Sequence, residues 1–348
     1  MRFGPVQLDR AEGKILGHNI AGPDGRRLLR KGKPLTPDDL DALRAIGRAS
    51  VYVAELEPGD ISENDAARRI ANAIAGRGLT LSGPASGRAN LLANALGIAR
   101  VDAGRLARIN EAEGITLATI PGHSAARARQ IVATVKIIPY AVPERDVARA
   151  EAIAAGKPIV QIDPLPPKTV GLILSGSQSI RERIQSDFTP PLRDRVAALG
   201  SEITAIDFIS LEDESGEMTL AERLADHARA GAGLIVLAGE TAIMDRHDIA
   251  PRAIERAGGE VTCFGAPVDP GNLLMVGYLG DVPIMGAPGC ARSRKTNVVD
   301  WIIPRLLAGD RLTRADIVAL GHGGLLEEIP ERPMPRGDSG GESRLTIK

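Results

Sequence analysis

Aromatic side chains are nearly missing from this chain. Its 348 residues include four Phe, three Tyr and one Trp. So thin a supply excludes base-stacking platforms and an aromatic carbohydrate groove, because both need rings at successive positions. Core packing falls to aliphatic residues and alanine. Cysteine is scarcer still, with only Cys263 and Cys290. Two thiols cannot complete a structural zinc site alone, and they give no exported disulfide scaffold. Excess charge is absent too. The chain carries 43 basic and 44 acidic residues, so there is no electrostatic case for nucleic acid or an anionic membrane. No apolar run reaches the roughly 18 residues of a membrane span. The first residues lead into charged ones instead of a signal-peptide core, so a cytoplasmic location is expected. His18, His123, His227, His247 and His322 are scattered, without metal-ligand spacing. No P-loop, zinc-protease helix motif or nucleophile elbow occurs.

What is present is a long chain with ordinary globular composition, 43% hydrophobic and 25% charged, which predicts two or three domains. Residues 1–56 form a small N-terminal α+β unit. In it Thr36 is an N-cap, Pro37 opens a helix, Leu40, Leu43 and Ile46 give its apolar stripe, and 51–53 is a strand. A turn at 57–60 begins a middle α/β domain, 57–165, of no recognisable type. Helices are expected there from Ser62 to about Gly76 and at 89–96, 104–110 and 147–155. Strands are expected at 79–81, 98–101, 115–120 and 131–138. A proline-rich linker at 163–167 follows. Residues 166–328 then alternate strands (170–174, 203–206, 234–237, 261–264, 273–279, 282–285) with helices (189–199, 220–230, 248–257, 293–307). That alternation predicts α/β architecture: a three-layer αβα domain with a mostly parallel sheet and right-handed crossovers. Residues 329–348 are rich in Pro, Gly, Ser and mixed charge, and read as a disordered tail.

Three glycine turns, each after an apolar strand, would gather backbone N–H groups at one sheet edge, where open α/β sheets bind ligands. They are Ser175-Gly176-Ser177, Gly239-Glu240-Thr241 and the 287–293 turn containing Pro288, Gly289, Arg292 and Ser293. Ser293 would cap a following helix, whose N-terminus favours anions, with Arg292, Arg294 and Lys295 adding positive charge. An ordinary strand-to-helix turn with solvated cations is the plainer alternative. Glu240 would repel a phosphate unless a cation lay between them. Asp248 suits either a helix cap or a polar site, and Asp269, between Val268 and Pro270 with Gly271 following, has no evident capping duty. Cys290 sits in the anion loop, where a helix end would lower its pKa, or it fills a tight turn.

Residues 168–310 resemble the molybdopterin-binding domain shared by molybdopterin molybdotransferases, the C-terminal part of gephyrin and molybdopterin adenylyltransferases. That pattern has a Thr-Gly-Asp-Glu loop, a Ser-Gly-Gly turn with an Asp some residues on, a Pro-Gly turn and a Leu-Pro-Gly-Asn-Pro-x-Ser loop. The counterparts are Leu174 to Gln178, then Ala238-Gly239-Glu240 with Asp248, then Asp269-Pro270-Gly271-Asn272, and the stretch from Ala287 to Ser293. The segment from Arg30 to Val53 is similar to the one preceding this domain in the molybdotransferases. Ser177-Gln178 replaces the Asp-Glu pair, removing two carboxylates that could hold Mg²⁺ or orient molybdate. Glu240 replaces a glycine, and Cys290-Ala291 replaces Asn-Pro.

The resemblance implies a molybdopterin-binding protein of molybdenum cofactor biosynthesis, with molybdopterin or adenylylated molybdopterin as ligand and Mg²⁺ and molybdate as participants. As an enzyme it would be a molybdopterin molybdotransferase, inserting molybdate with release of the adenylyl group. Ser175, Gly176, Ser177, Gly239, Glu240, Thr241, Gly271, Pro288, Gly289, Arg292, Ser293 and Lys295 would bind the ligand, with Asp248 and Asp269 as the catalytic carboxylates. Two alternatives stay open. One is a non-catalytic carrier delivering cofactor to a molybdenum hydroxylase or another partner of the pathway. The other is a nucleotide pyrophosphatase of the competence-damage type. The resembled family also implies a homodimer.

Overall fold

The computed structural model describes residues 1–210, 215–240 and 243–326. The chain divides into two compact units, Met1–Pro167 and Lys168 onward.

In the first unit, Ser50–Glu55 lies between Arg2–Gln7 and Ile15–Leu16 in an antiparallel sheet. The helix Pro37–Ala45 starts with a reciprocal cap. The Asp39 amide donates to Thr36 Oγ1 at 3.3 Å, and the Thr36 amide to the Asp39 carboxylate at 2.9 Å. Leu40 and Leu43 join Leu16, Leu35, Val51 and Val53 in one apolar cluster. A second cluster is built from Ile70 and Ile74 of the helix Glu63–Ile74, with Leu91, Val135, Ile137 and Ile162 from surrounding strands. Every strand pairing in this unit is antiparallel. The helix expected at 89–96 is instead the strand Arg88–Ala93, paired to Ile131–Ile137 on one side and Leu79–Leu81 on the other. Ala89, Leu91 and Ala93 are buried with period two. Sheet pairing on both sides overrides the helical preference of alanine and leucine.

The second unit is a six-stranded sheet of β1 (Thr169–Gly176), β2 (Glu202–Ser210), β3 (Leu234–Gly239), β4 (Glu260–Phe264), β5 (Met275–Leu279) and β6 (Val282–Gly286). Its order is β2-β1-β3-β6-β5-β4. The pairs β1–β2, β1–β3 and β3–β6 are parallel, while β5 runs against both neighbours. The expected mostly parallel sheet is therefore present, with one reversed strand. The unit's α-helices of eight or more residues are α1 (Arg181–Ala198), α2 (Ser215–Arg229), α3 (Ile249–Arg256) and α4 (Val298–Leu307). Side chains alternate across a strand, so Gly171 and Gly176 face opposite sides. Gly171 lies under His227 of α2 and Gly176 under Ile184 of α1, which gives the helix–sheet–helix layering.

Three helix starts differ from expectation, among them α2, which is already helical at Ser215 and not first at 220. Helix α1 begins at Arg181, not 189, because Ile184, Phe188, Leu192 and Val196 continue one buried stripe through Pro190 and Pro191. The stripe outweighs the backbone hydrogen bonds that the two prolines forgo. Helix α4 begins at Val298, capped by Asn297 with Asp300 at the reciprocal position. Ser293 is not its cap.

Candidate functional site

Strands β1, β3, β4 and β6 run the same way, so the loops leaving them share one edge of the sheet. Register aligns the strand ends: Ser175 lies opposite Gly239, and Leu237 opposite Gly286. The loops after β1 and β3 are laced together. The Glu240 amide donates to the Ser175 carbonyl at 2.9 Å, and the Ser177 amide donates to Glu240 Oε2 at 3.0 Å. Gly239 is required here, since a Cβ would meet the Ser175 carbonyl oxygen at 2.6 Å. Thr241 lies outside the described residues, as does the tail expected at 329–348.

The loop after β3 crosses the end of β6, where Ile243 fills the space beside Gly286. It ends at Asp248, which occupies the N-cap position of α3 without a side-chain cap. Its Oδ2 instead accepts from the Met244 amide at 2.8 Å, so the carboxylate closes the loop behind it. Asp245, beside it, accepts from the amide and ring of His247 at 2.7 and 2.8 Å. Those hydrogen bonds, the amide's first, hold its carboxyl below the usual range.

After β4, Asp269 is exposed and its backbone pairs with Gly324 and Leu326. Gly271 is buried against the start of α4, with φ of +137° and no room for a Cβ beside the Val298 side chain. Only glycine serves at such a conformation and approach. Pro288 is buried, and Gly289 opens a short 3₁₀ turn, Gly289–Arg292. Beyond it the chain bends through 293–295 before reaching Asn297. Ser293 Oγ accepts from the Lys295 amide at 3.1 Å. Arg292 and Lys295 are exposed, and Arg294 pairs with Asp194 at 3.1 Å. The Cys290 thiol is pushed up by burial, and the charges of Asp269 and Asp300 also raise it. The α-helix begins only at Val298, and the single 3₁₀ turn at this cysteine carries too little dipole for the activation that an α-helix end would supply.

One residue that sequence reasoning missed organises this loop. Arg195, nearly buried on α1, donates to the carbonyls of Ala291 (3.0 Å), Ser293 (2.7 Å) and Lys295 (3.1 Å). It also forks onto Asp300 at 2.9 and 3.3 Å. Asn297, buried as well, donates to the Cys290 and Lys295 carbonyls at 3.2 and 3.0 Å. The only signal was an arginine in a buried helical register, one residue before Val196.

The rim thus gathers Ser175 to Ser177, Gly239 and Glu240, Asp248, Asp269 to Gly271, and Pro288 to Lys295 at one sheet edge. Its charge is divided, with Glu240 over the β1–β3 side and the cations on the loop after β6. Among the described residues, no three His, Cys, Asp or Glu side chains converge to hold a metal ion. A cleft of about 300 Å³ lined by Lys168, Tyr278, Asp281 and Arg311 opens at the opposite edge and is not part of the rim. No helix among the described residues is long and apolar enough to cross a membrane.

A family described as a domain of unknown function, DUF8806, matches residues 5–55. No curated protein matches the sequence. Among solved structures, the chain is similar to a molybdenum cofactor biosynthesis protein from Pyrococcus furiosus, at 13% identity and a TM-score of 0.24. That match covers 91% of this chain and 65% of the other, so the chain spans just under two thirds of that protein's length. It is similar to a molybdopterin biosynthesis MoeA protein from Pyrococcus horikoshii at 13% identity and TM-score 0.28, over 91% of this chain and 75% of that one. The molybdopterin biosynthesis enzyme MoaB from Thermus thermophilus matches 41% of this chain and 98% of its own, at 17% identity and TM-score 0.30. Likenesses of this size assign no activity to the chain.

Proposed function

We propose that this chain is a molybdopterin-binding protein of molybdenum cofactor biosynthesis, acting in the cytoplasm. The observation that carries the reading is the convergence of four strand-end loops, in the order the resembled domain requires, on one edge of a parallel sheet. Arg292 and Lys295 would receive the ligand's phosphate on the loop after β6. Asp269 and Glu240 would accept hydrogen bonds from the pterin's donor groups. Asp248 would hold the loop over β6 in shape. Chemistry at such a rim rests on positioning and electrostatics more than on a reactive side chain.

In the transferase reading, molybdate is inserted into adenylylated molybdopterin bound along this edge, with Asp248 and Asp269 orienting the reacting groups. The carrier reading is favoured by Ser177 and Gln178, which leave the first loop without the carboxylates that would chelate Mg²⁺ beside a phosphate. A homodimer and delivery to a molybdenum hydroxylase belong to the same proposal, and both are checked by copurification and sedimentation. The primary test is calorimetric binding of molybdopterin and adenylylated molybdopterin to the full chain, beside Arg292→Ala and Asp269→Ala. Binding that weakens in both variants supports the site. No binding by the intact protein refutes it. Molybdate-dependent release of adenosine monophosphate then separates transferase from carrier.

A further inference from the structure

The cleft of about 300 Å³ at the sheet edge opposite the rim has the size of a small-molecule site. Most of its lining comes from β5, β6, the turn between them and the chain at and after the end of α4. Lys168 is the exception, because it immediately precedes β1, and β3 stands between β1 and β6. The lysine stem crosses that gap over Gly233, where a Cβ would lie 2.5–2.9 Å from its Cδ, Cβ and Cγ. A side chain at 233 would displace the stem. The glycine is therefore what lets the ammonium reach the cleft.

Four charged residues line this cleft, and two of them are satisfied internally. Arg311 stacks on the Tyr278 ring, 4.3 Å from its centroid, and pairs with Glu260 at 2.6 Å. Asp310 pairs with Arg305 at 3.2 Å. The other two are not satisfied. Among the described residues, neither the Lys168 ammonium nor the Asp281 carboxylate has a hydrogen-bond or ion-pair partner, and they do not pair with each other. Asp281 sits in the tight turn closed by the Leu279–Val282 pair, so the hairpin fixes its position. Pro283 and Leu306, both buried, give the cleft apolar walls. Tyr278 adds only its ring, since its Oη already accepts from the Leu312 amide at 2.6 Å. A lone anion on Lys168 would leave Asp281 facing it, and a lone cation would do the reverse. A molecule carrying both charges, with an apolar group attached, satisfies the whole lining.

We infer that this cleft is a second binding site, for a small zwitterion of the free amino-acid class with an aliphatic side chain. Its carboxylate lies on Lys168, its ammonium at Asp281 and its side chain against Pro283 and Leu306. Charge-assisted hydrogen bonds at both ends fix the orientation, and the apolar walls take the side chain. The site lies at the opposite ends of the strands from the rim, so it does not depend on the ligand proposed there.

The test is saturation-transfer NMR and calorimetry on the full chain, with L-leucine and L-valine as probes. N-acetyl-L-leucine, which lacks the ammonium, and L-leucinamide, which lacks the carboxylate, serve as single-charge analogues. The wild type should bind leucine or valine and take each leucine analogue about tenfold more weakly, the scale of one lost charge-assisted contact. Lys168→Gln should weaken leucine about tenfold and abolish the discrimination against leucinamide. Asp281→Asn should do the same for N-acetyl-leucine. Gly233→Val, which keeps the lysine but blocks its path, should reproduce Lys168→Gln. The changes at 168 and 281 remove no core contact, and matching far-UV circular dichroism checks that both variants fold. No transfer from either amino acid at about 10 mM, where binding is too weak to be specific, would overturn the inference. Equal binding of leucine and both analogues would overturn it too, since only apolar contact would remain. Leucine binding unchanged in both Lys168→Gln and Asp281→Asn would place the ligand elsewhere and refute the site.

Discussion

Replacing Arg195 with Ala should loosen the loop after β6 without dissolving the sheet that carries it. The guanidinium satisfies the carbonyls of Ala291, Ser293 and Lys295 and neutralises Asp300. A hydrogen bond involving a charged group contributes about 1.5–3 kcal/mol net, and a buried charge left without its partner costs about 3–5 kcal/mol. Asp300 is partly exposed and water reaches the outer carbonyls, so most of the loss is recovered by hydration. About 2–4 kcal/mol remains. For a domain of this size that lowers the thermal midpoint by roughly 5–15 °C. Limited trypsinolysis adds a local readout, because Arg292, Arg294 and Lys295 are cleavage points inside the pinned loop. Cleavage after them should be slow in the wild type and rapid in Arg195→Ala, before global unfolding begins. Arg195→Lys should recover less than half of the protection, since an ammonium cannot fork onto Asp300 and reach three carbonyls together. An Arg195→Ala protein with unchanged midpoint and unchanged trypsin resistance in 292–295 would refute the pinning argument.

Other parts of the chain give further expectations. Burial acts to raise the Asp316 carboxyl, but hydrogen bonds from Thr313 and Arg305 outweigh it and hold the pKa at about 2, against an ordinary 3.8. A depressed carboxyl contributes stability above its unfolded pKa and loses it as pH falls through the folded one. Asp316→Asn should therefore cost stability at pH 7 and progressively less between about pH 4 and pH 2, as urea melts at several pH values would reveal. Gly271→Ala should cost about 2–4 kcal/mol, because the left-handed backbone and the Val298 contact both oppose a Cβ; an unchanged urea midpoint would contradict this. Arg69 bridges Glu144 and Glu151 between two helices of the first unit, at 2.7–2.9 Å. Arg69→Ala should cost about 1 kcal/mol, falling toward zero in 1 M salt.

The domain holding the rim was legible because its strands are short apolar runs separated by helices with clear glycine stops. Fully buried strands such as Leu234–Gly239 need no alternation to be read. What failed had a physical cause in each case. Arg88–Ala93 looks helical until two neighbouring strands claim its amides. Pro190 and Pro191 mimic a helix start, and only the buried stripe at 184, 188, 192 and 196 reveals that the helix is already running. Ser293 resembles a cap, yet Asn297 with Asp300 offers the stronger reciprocal cap four residues later. Loop residues were read from glycines and charge. Arg195 was not, because its partners are backbone carbonyls about a hundred residues away, which leave no mark in local sequence.

Two of the three departures from the resembled motif meet at the same spot. The first loop carries Ser177 and Gln178 where the resembled motif has an acidic pair, and the second carries Glu240, whose carboxylate accepts from the Ser177 amide. Negative charge near the end of β1 is therefore carried by the loop after β3 and fixed to the backbone. A carboxylate with one oxygen committed to an amide is a good acceptor for a ligand N–H and a poor start for a chelating pair, since Mg²⁺ demands near-octahedral oxygen donors. Ligand affinity at the rim should accordingly be independent of Mg²⁺. Titrations with about 5 mM MgCl₂ and with chelator should agree within roughly twofold, the margin expected when no protein carboxylate pair ligates the ion. A tenfold or greater loss of affinity on chelation would show that carboxylates rearrange around the ion, and would overturn the assignment of Glu240 as a fixed acceptor.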